Sequence, residues 1–87
     1  MLLLTTNLEI AKSVVSAMHD DLKDQKSFAK SIQEKVKIGV NLQKVVAILM
    51  RLEKHGIVEK EKIGKTNAYS LTKEYKTILD SLTNQTF

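Results

Sequence analysis

Lys60, Lys62 and Lys65 are the side chains of this chain best spaced to do chemistry. Lys60 and Lys62 are two residues apart, so on an extended strand they share one face, and Glu59 and Glu61 share the other. A basic strand face leading to Gly64 and Lys65 is a site for phosphate groups, whose condensed counterions lysines displace. A second group lies upstream. Asn41, Gln43 and Lys44 begin a segment of helical periodicity, with amide and ammonium groups at its start.

Other chemistry has little support. His19 and His55 stand alone, with no cysteine anywhere and no HExxH spacing, so capping or surface roles suit them better than a metal. Asp20, Asp21 and Asp24 lack the glycine and distal glutamate of a calcium loop and read as a solvated connector. Gly64-Lys65-Thr66 lacks the upstream glycine of a phosphate-binding loop. Serines 13, 16, 27, 31, 70 and 81 have no evident base partner. Neither an enzyme nor a cofactor is expected.

The elements that position these residues follow from periodicity. The chain has 87 residues, 43% hydrophobic and 28% charged, without proline and with glycine only at positions 39, 56 and 64, which predicts one mostly helical domain. A first helix is predicted over about Leu8–Leu22, capped by Thr6 or Asn7. Its two apolar stripes are Leu8, Ala11, Val15, Met18, Leu22 and Ile10, Val14, Ala17. So wide an arc predicts packing on two sides, one of them against a partner chain. Asp20–Lys26 is a polar connector. Ser27 is placed to cap a second helix that turns Phe28, Ala29, Ile32 and Val36 inward. Lys30, Glu34, Lys35 and Lys37 then face water or phosphate.

Ile38–Gly39–Val40 is the expected turn, with Gly39 free to take the left-handed conformation that such turns often need. Asn41 caps a third helix, Leu42–His55, with a spine of Val45, Leu49 and Leu52, and Gly56 stops it. Ile57–Lys62 and Ala68–Leu71 read as antiparallel strands around a turn at Ile63–Asn67, with Val58, Tyr69 and Leu71 inward. Thr72 is expected to cap a last helix bearing Tyr75, Ile78, Leu79 and Leu82, and Asn84–Phe87 to fray. The order helix-helix-helix-strand-strand-helix is mostly α with a small β-hairpin. It predicts a winged helix-turn-helix, with helices over about 27–55, a wing over about 57–71 and a C-terminal helix over about 72–83.

Charge agrees with that reading. The net charge is +4, but residues 1–24 carry −2 while residues 25–80 hold twelve basic and six acidic side chains. A basic later part suits a polyanionic partner. The absence of cysteine fits a reducing cytoplasm, and neither a signal peptide nor a membrane span is expected.

Val40-Asn41, Val45, Leu49, Arg51-Leu52-Glu53, Gly56-Ile57-Val58, Gly64-Lys65 and Tyr69-Ser70-Leu71-Thr72 together resemble winged-helix transcription regulators of the MarR, PadR and ArsR kind, over about residues 25–82. The resemblance implies that the third helix enters the major groove of double-stranded DNA and that the wing tracks phosphates. Carried onto this chain, the reading positions are Asn41, Leu42, Gln43, Lys44, Val46, Ala47, Met50 and Arg51, with Gln43 suited to an adenine edge and Lys44 to guanine or a phosphate. Lys60, Lys62 and Lys65 contact the backbone from the wing, and Lys30 and Lys35 from the second helix.

The chain departs from such regulators at Val46, Ala47 and Met50, where polar or basic residues are common, and at Lys73-Glu74-Tyr75, where a glycine is common. Val45–Met50 is apolar on every helical face. Either Val46 and Ala47 meet thymine methyls, or Val46, Ala47 and Met50 meet another protein. The expected function is therefore a homodimeric DNA-binding transcription regulator, paired through its first and last helices. The alternatives are a winged-helix interaction module in a replication, partition or assembly complex, and a sequence-neutral architectural DNA binder.

Overall fold

A computed structural model describes residues 6–21, 26–36, 39–83 and 85–87. The expectations placed on Leu22, Asp24, Lys37, Ile38 and Asn84, and on the side chains of Asp20 and Asp21, fall outside the described residues. The elements are α1 (Asn7–Asp21), β1 (Ser27–Phe28), α2 (Ala29–Lys35), α3 (Leu42–Lys54), β2 (Val58–Ile63), β3 (Thr66–Leu71) and α4 (Tyr75–Ser81). Among the described residues, no helix is long and apolar enough to cross a membrane.

Thr6 is the residue that caps α1, its Oγ1 accepting the Glu9 N–H at 3.2 Å. The described residues of both α1 stripes are buried within the chain: Leu8, Ala11, Val15 and Met18, and Ile10, Val14 and Ala17. This corrects the expectation that one stripe is left for a partner. The wide arc is needed inside the chain, because α1 packs against α2, α3 and β3 at once.

The second correction concerns Ser27 and Phe28. They do not cap and line a helix but form a short strand, antiparallel to Tyr69 and Ala68. The sheet therefore has three strands in the order β1-β3-β2. Ser27 is buried, whereas Phe28 is 40% exposed. Strand geometry sends successive side chains to opposite faces, so burying Ser27 turns Phe28 outward. Only Ile32 and Val36, with part of Ala29, carry the second helix into the core.

Val36 leaves α2 in an extended conformation. The Gln33 side chain then holds the turn, its Nε2 donating to Val40 O at 3.1 Å. Asn41 caps α3 as expected, Oδ1 accepting the Lys44 N–H at 2.8 Å. Val45, Leu49 and Leu52 are fully buried, and Ile48 joins them. Truncating either of these leucines to alanine leaves a cavity costing about 2–5 kcal/mol.

α3 ends in a two-bond C-cap. Gly56, at φ +83°, donates its N–H to Glu53 O at 3.0 Å, and Ile57 donates to Leu52 O at 2.9 Å. Thr72 does not cap α4. Its hydroxyl donates to Gly56 O at 2.7 Å and Ile57 O at 3.2 Å, so it ties the far strand to the end of α3. α4 begins after Glu74 without a side-chain cap. Its Tyr75, Ile78, Leu79 and Leu82 pack half-buried on the core. The tail is not frayed where it is described: Thr83 and Thr86 exchange hydrogen bonds, and Phe87 packs against the core.

At Gly56, an added Cβ meets only Ile78 Cδ1, at an ordinary 3.6 Å. The cost of Gly56→Ala is therefore the left-handed backbone rather than a clash. It is expected to lower unfolding free energy by about 1–2 kcal/mol, measured by urea denaturation.

Candidate nucleic-acid interface

The wing is tighter than its sequence suggests. Ile63 and Thr66 are a ladder pair, so the turn is Gly64-Lys65 alone, with Gly64 at φ +64°, and Asn67 belongs to β3. The register sets Lys60 opposite Tyr69 and Lys62 opposite Asn67, while Glu59 faces Ser70 and Glu61 faces Ala68. Opposed residues of an antiparallel pair share a face. The lysine face is thus the one carrying Val58, Tyr69 and Leu71 at the root, and the glutamates are on the reverse.

The wing lysines nevertheless differ from one another. Lys60 Nζ lies 3.7 Å from the Glu53 carboxylate of α3. Glu61 on the reverse face pairs with Lys26. A broad groove of about 530 Å³ at the wing root holds these groups: Lys26, Lys60, Glu53, Glu59 and Glu61. Three carboxylates there against two lysines make it a poor host for an anion. Lys62 and Lys65 lie farther out and are exposed.

A second groove, of about 310 Å³, opens between the start of α3, the start of α2 and the wing tip. Phe28, Ala29, Leu42, Val46 and Tyr69 form its apolar lining, and Lys30 and Lys65 are its charged lining residues. Among the described residues, no carboxylate lines it. Lys35 is exposed on α2 but does not line this groove.

The outer face of α3 carries the other expected site residues. Asn41, Gln43, Ala47 and Arg51 are exposed, and Lys44 and Val46 are half-buried. Two of the polar groups are already engaged. The Asn41 carbonyl oxygen is committed to the cap. The Arg51 guanidinium donates to Phe87 O at 3.2 Å and lies 5.9 Å from the Phe87 ring centre. Phe87 also stacks on His55, centroids 5.6 Å apart. Gln43 is an exposed polar residue at the start of the helix. The outer face also exposes apolar side chains, Leu42 at 42% and Met50 at 58%, with Lys54 near its end. His19 is occupied elsewhere, its Nδ1 3.0 Å from the Tyr75 hydroxyl.

Three residues of this surface escape sequence reasoning: Phe28, Gln33 and Phe87. Phe28 and Phe87 sit in apolar periodicity or at a chain end, and nothing local marks their roles. Gln33, midway along a short helix and seven residues before Val40, could be suspected only by assuming the turn.

No protein-family model matches the chain, and no curated protein does. Solved structures do. The structure of AF1382 from Archaeoglobus fulgidus superposes with a TM-score of 0.62 and 21% identity, covering 82% of this chain and 76% of that one. TubR bound to 24 bp of tubC, from Bacillus thuringiensis serovar israelensis pBtoxis, gives a TM-score of 0.66 and 18% identity, covering 83% and 76%. A type III plasmid segregation TubR gives 0.63 and 17%, covering 92% and 87%. The fold is a winged helix-turn-helix. At these identities the likeness concerns the fold and does not single out the MarR, PadR or ArsR families.

The Lys60–Glu53 pair is more than a third exposed on both sides, so water screens it. A double-mutant cycle of Lys60→Ala and Glu53→Ala, followed by urea denaturation, is expected to give a coupling below about 1 kcal/mol.

Proposed function

We propose that this protein binds double-stranded DNA as a small, homodimeric transcription regulator. The start of α3 is directed to the major groove and the wing tip to the backbone. The observation that carries this reading is the separation of charge around the wing. The carboxylates gather at the root groove, while Lys30 and Lys65 flank a groove without them, next to the exposed Gln43. The likeness to a TubR that is bound to 24 bp of tubC supports DNA as the ligand. Sequence preference rests on few groups: Gln43, Lys44 and the apolar Val46 and Ala47. Asn41 contributes mainly by holding the helix start in place. Arg51 contributes once released from Phe87, and Lys35 through the backbone.

Lys62→Ala combined with Lys65→Ala is expected to weaken binding to all duplexes alike. It should reduce the slope of log affinity against log salt by about two, one for each phosphate no longer neutralised. An unchanged slope removes the wing from the DNA interface. Lys60→Ala, whose charge is shared with Glu53, is the weaker comparison.

A second reading is favoured by the 58% exposure of Met50 and by the likeness to plasmid segregation proteins. In it, Val46, Ala47 and Met50 pack against another protein or a second copy, as in a partition complex, and only the start of α3 and the wing reach DNA. Because α1 keeps both of its apolar stripes inside the chain, α3 and the half-buried residues of α4 supply the apolar surface for pairing. Met50→Glu, followed by sedimentation and DNA binding, separates the two. Loss of assembly with a folded monomer supports the protein interface. Retained assembly with loss of DNA binding alone rejects it.

A further inference from the structure

Phe28 is an exposed aromatic side chain that the proposed DNA contact does not use. It is one of only two phenylalanines, sits on an edge strand, and is 40% exposed rather than packed inside. It lines the 310 Å³ groove together with Leu42, Val46 and Tyr69, and across Ala68 it shares a sheet face with Glu61, whose charge is paired with Lys26. The two charges among the lining residues are both positive, Lys30 from α2 and Lys65 from the wing turn. The groove is therefore apolar with cationic partners on separate elements and, among the described residues, free of acids. An occupant must match both properties. It needs a compact apolar body and negative charges close to it.

We propose that this groove seats a sugar–phosphate segment of one DNA strand, with the Phe28 ring against a deoxyribose and Lys30 and Lys65 on phosphates. Deoxyribose presents carbon-bound hydrogens that an aromatic ring can cover, and every sugar is flanked by phosphates. The complementarity of charge favours this occupant over an apolar peptide, which leaves both lysines without partners. Such a contact is blind to base identity. It gives the α2–β1 side of the molecule a role in setting the register of α3 on the duplex. The inference rests on the DNA-binding reading and adds to it a specific pocket and an aromatic residue.

The test compares wild-type protein with Phe28→Ala, Phe28→Leu, Lys30→Ala and Lys65→Ala. Binding to several unrelated duplexes is measured by fluorescence anisotropy over a range of salt, after a circular-dichroism melt of each variant. Phe28→Ala is expected to weaken every duplex by about fivefold, the value of part of a phenyl surface, with the salt slope unchanged. Phe28→Leu should recover part of that affinity. Lys30→Ala and Lys65→Ala should each reduce the slope by about one. Wild-type affinity of Phe28→Ala, or a weakening confined to one sequence, overturns the proposal, as does an unchanged slope in both lysine variants. If wild-type protein binds no duplex at any salt, the DNA reading itself fails. That result differs from a duplex binder insensitive to Phe28.

Discussion

The junction between α3 and the wing is the constraint on which the rest of the surface depends. α3 stops because Gly56 adopts a left-handed backbone and two N–H groups, those of Gly56 and Ile57, return to the last turn. The carbonyls of Gly56 and Ile57 then receive the Thr72 hydroxyl. Both ends of the hairpin are thus fixed to one helix end, and Ile57 between them is fully buried. The wing cannot swing independently of α3 without breaking these bonds. Its lysines and the start of α3 are therefore presented together, although they are some twenty residues apart in sequence.

Charge is sorted by the register of that hairpin. Alternation alone sends lysines and glutamates to opposite faces, but the distinction among the lysines depends on distance from the root. Near α3, Lys60 meets Glu53. At the tip, Lys65 enters a groove with Phe28 and the first turn of α3. One hairpin thus contributes both to an ion-pair cluster at its base and to an electropositive edge at its end. The apolar outer face of α3 lies between these regions. It is either an unusually methyl-directed reading surface or a protein interface.

Much of this was legible in the residues. Asn41 as a cap, Gly56 as a stop, the Val45-Leu49-Leu52 spine and the Val58-Tyr69 contribution to the core all occur where local rules place them. What failed were inferences that required knowing a neighbour. Ser27 has the chemistry of a cap, but β3 offered it a strand partner. Thr72 has the same chemistry, but the carbonyls at the end of α3 were nearer. The wide arc of α1 looked like surplus until α2, α3 and β3 covered it. Phe87 looked free until it met Arg51 and His55.

By itself, the sequence determined the kinds of element and their order, the helix ends that carry their own caps, and the basic character of the wing. These depend on interactions within a few residues, or on a period that the chain repeats. Only the tertiary structure decided which lysines stay open, which polar groups of α3 are already engaged, and that Phe28 faces a groove instead of the core. Those outcomes depend on contacts between different elements, some about 40 positions apart, as for Phe28 with Ala68 and Arg51 with Phe87, others near in sequence, as for Lys60 with Glu53, and local periodicity carries no information about them.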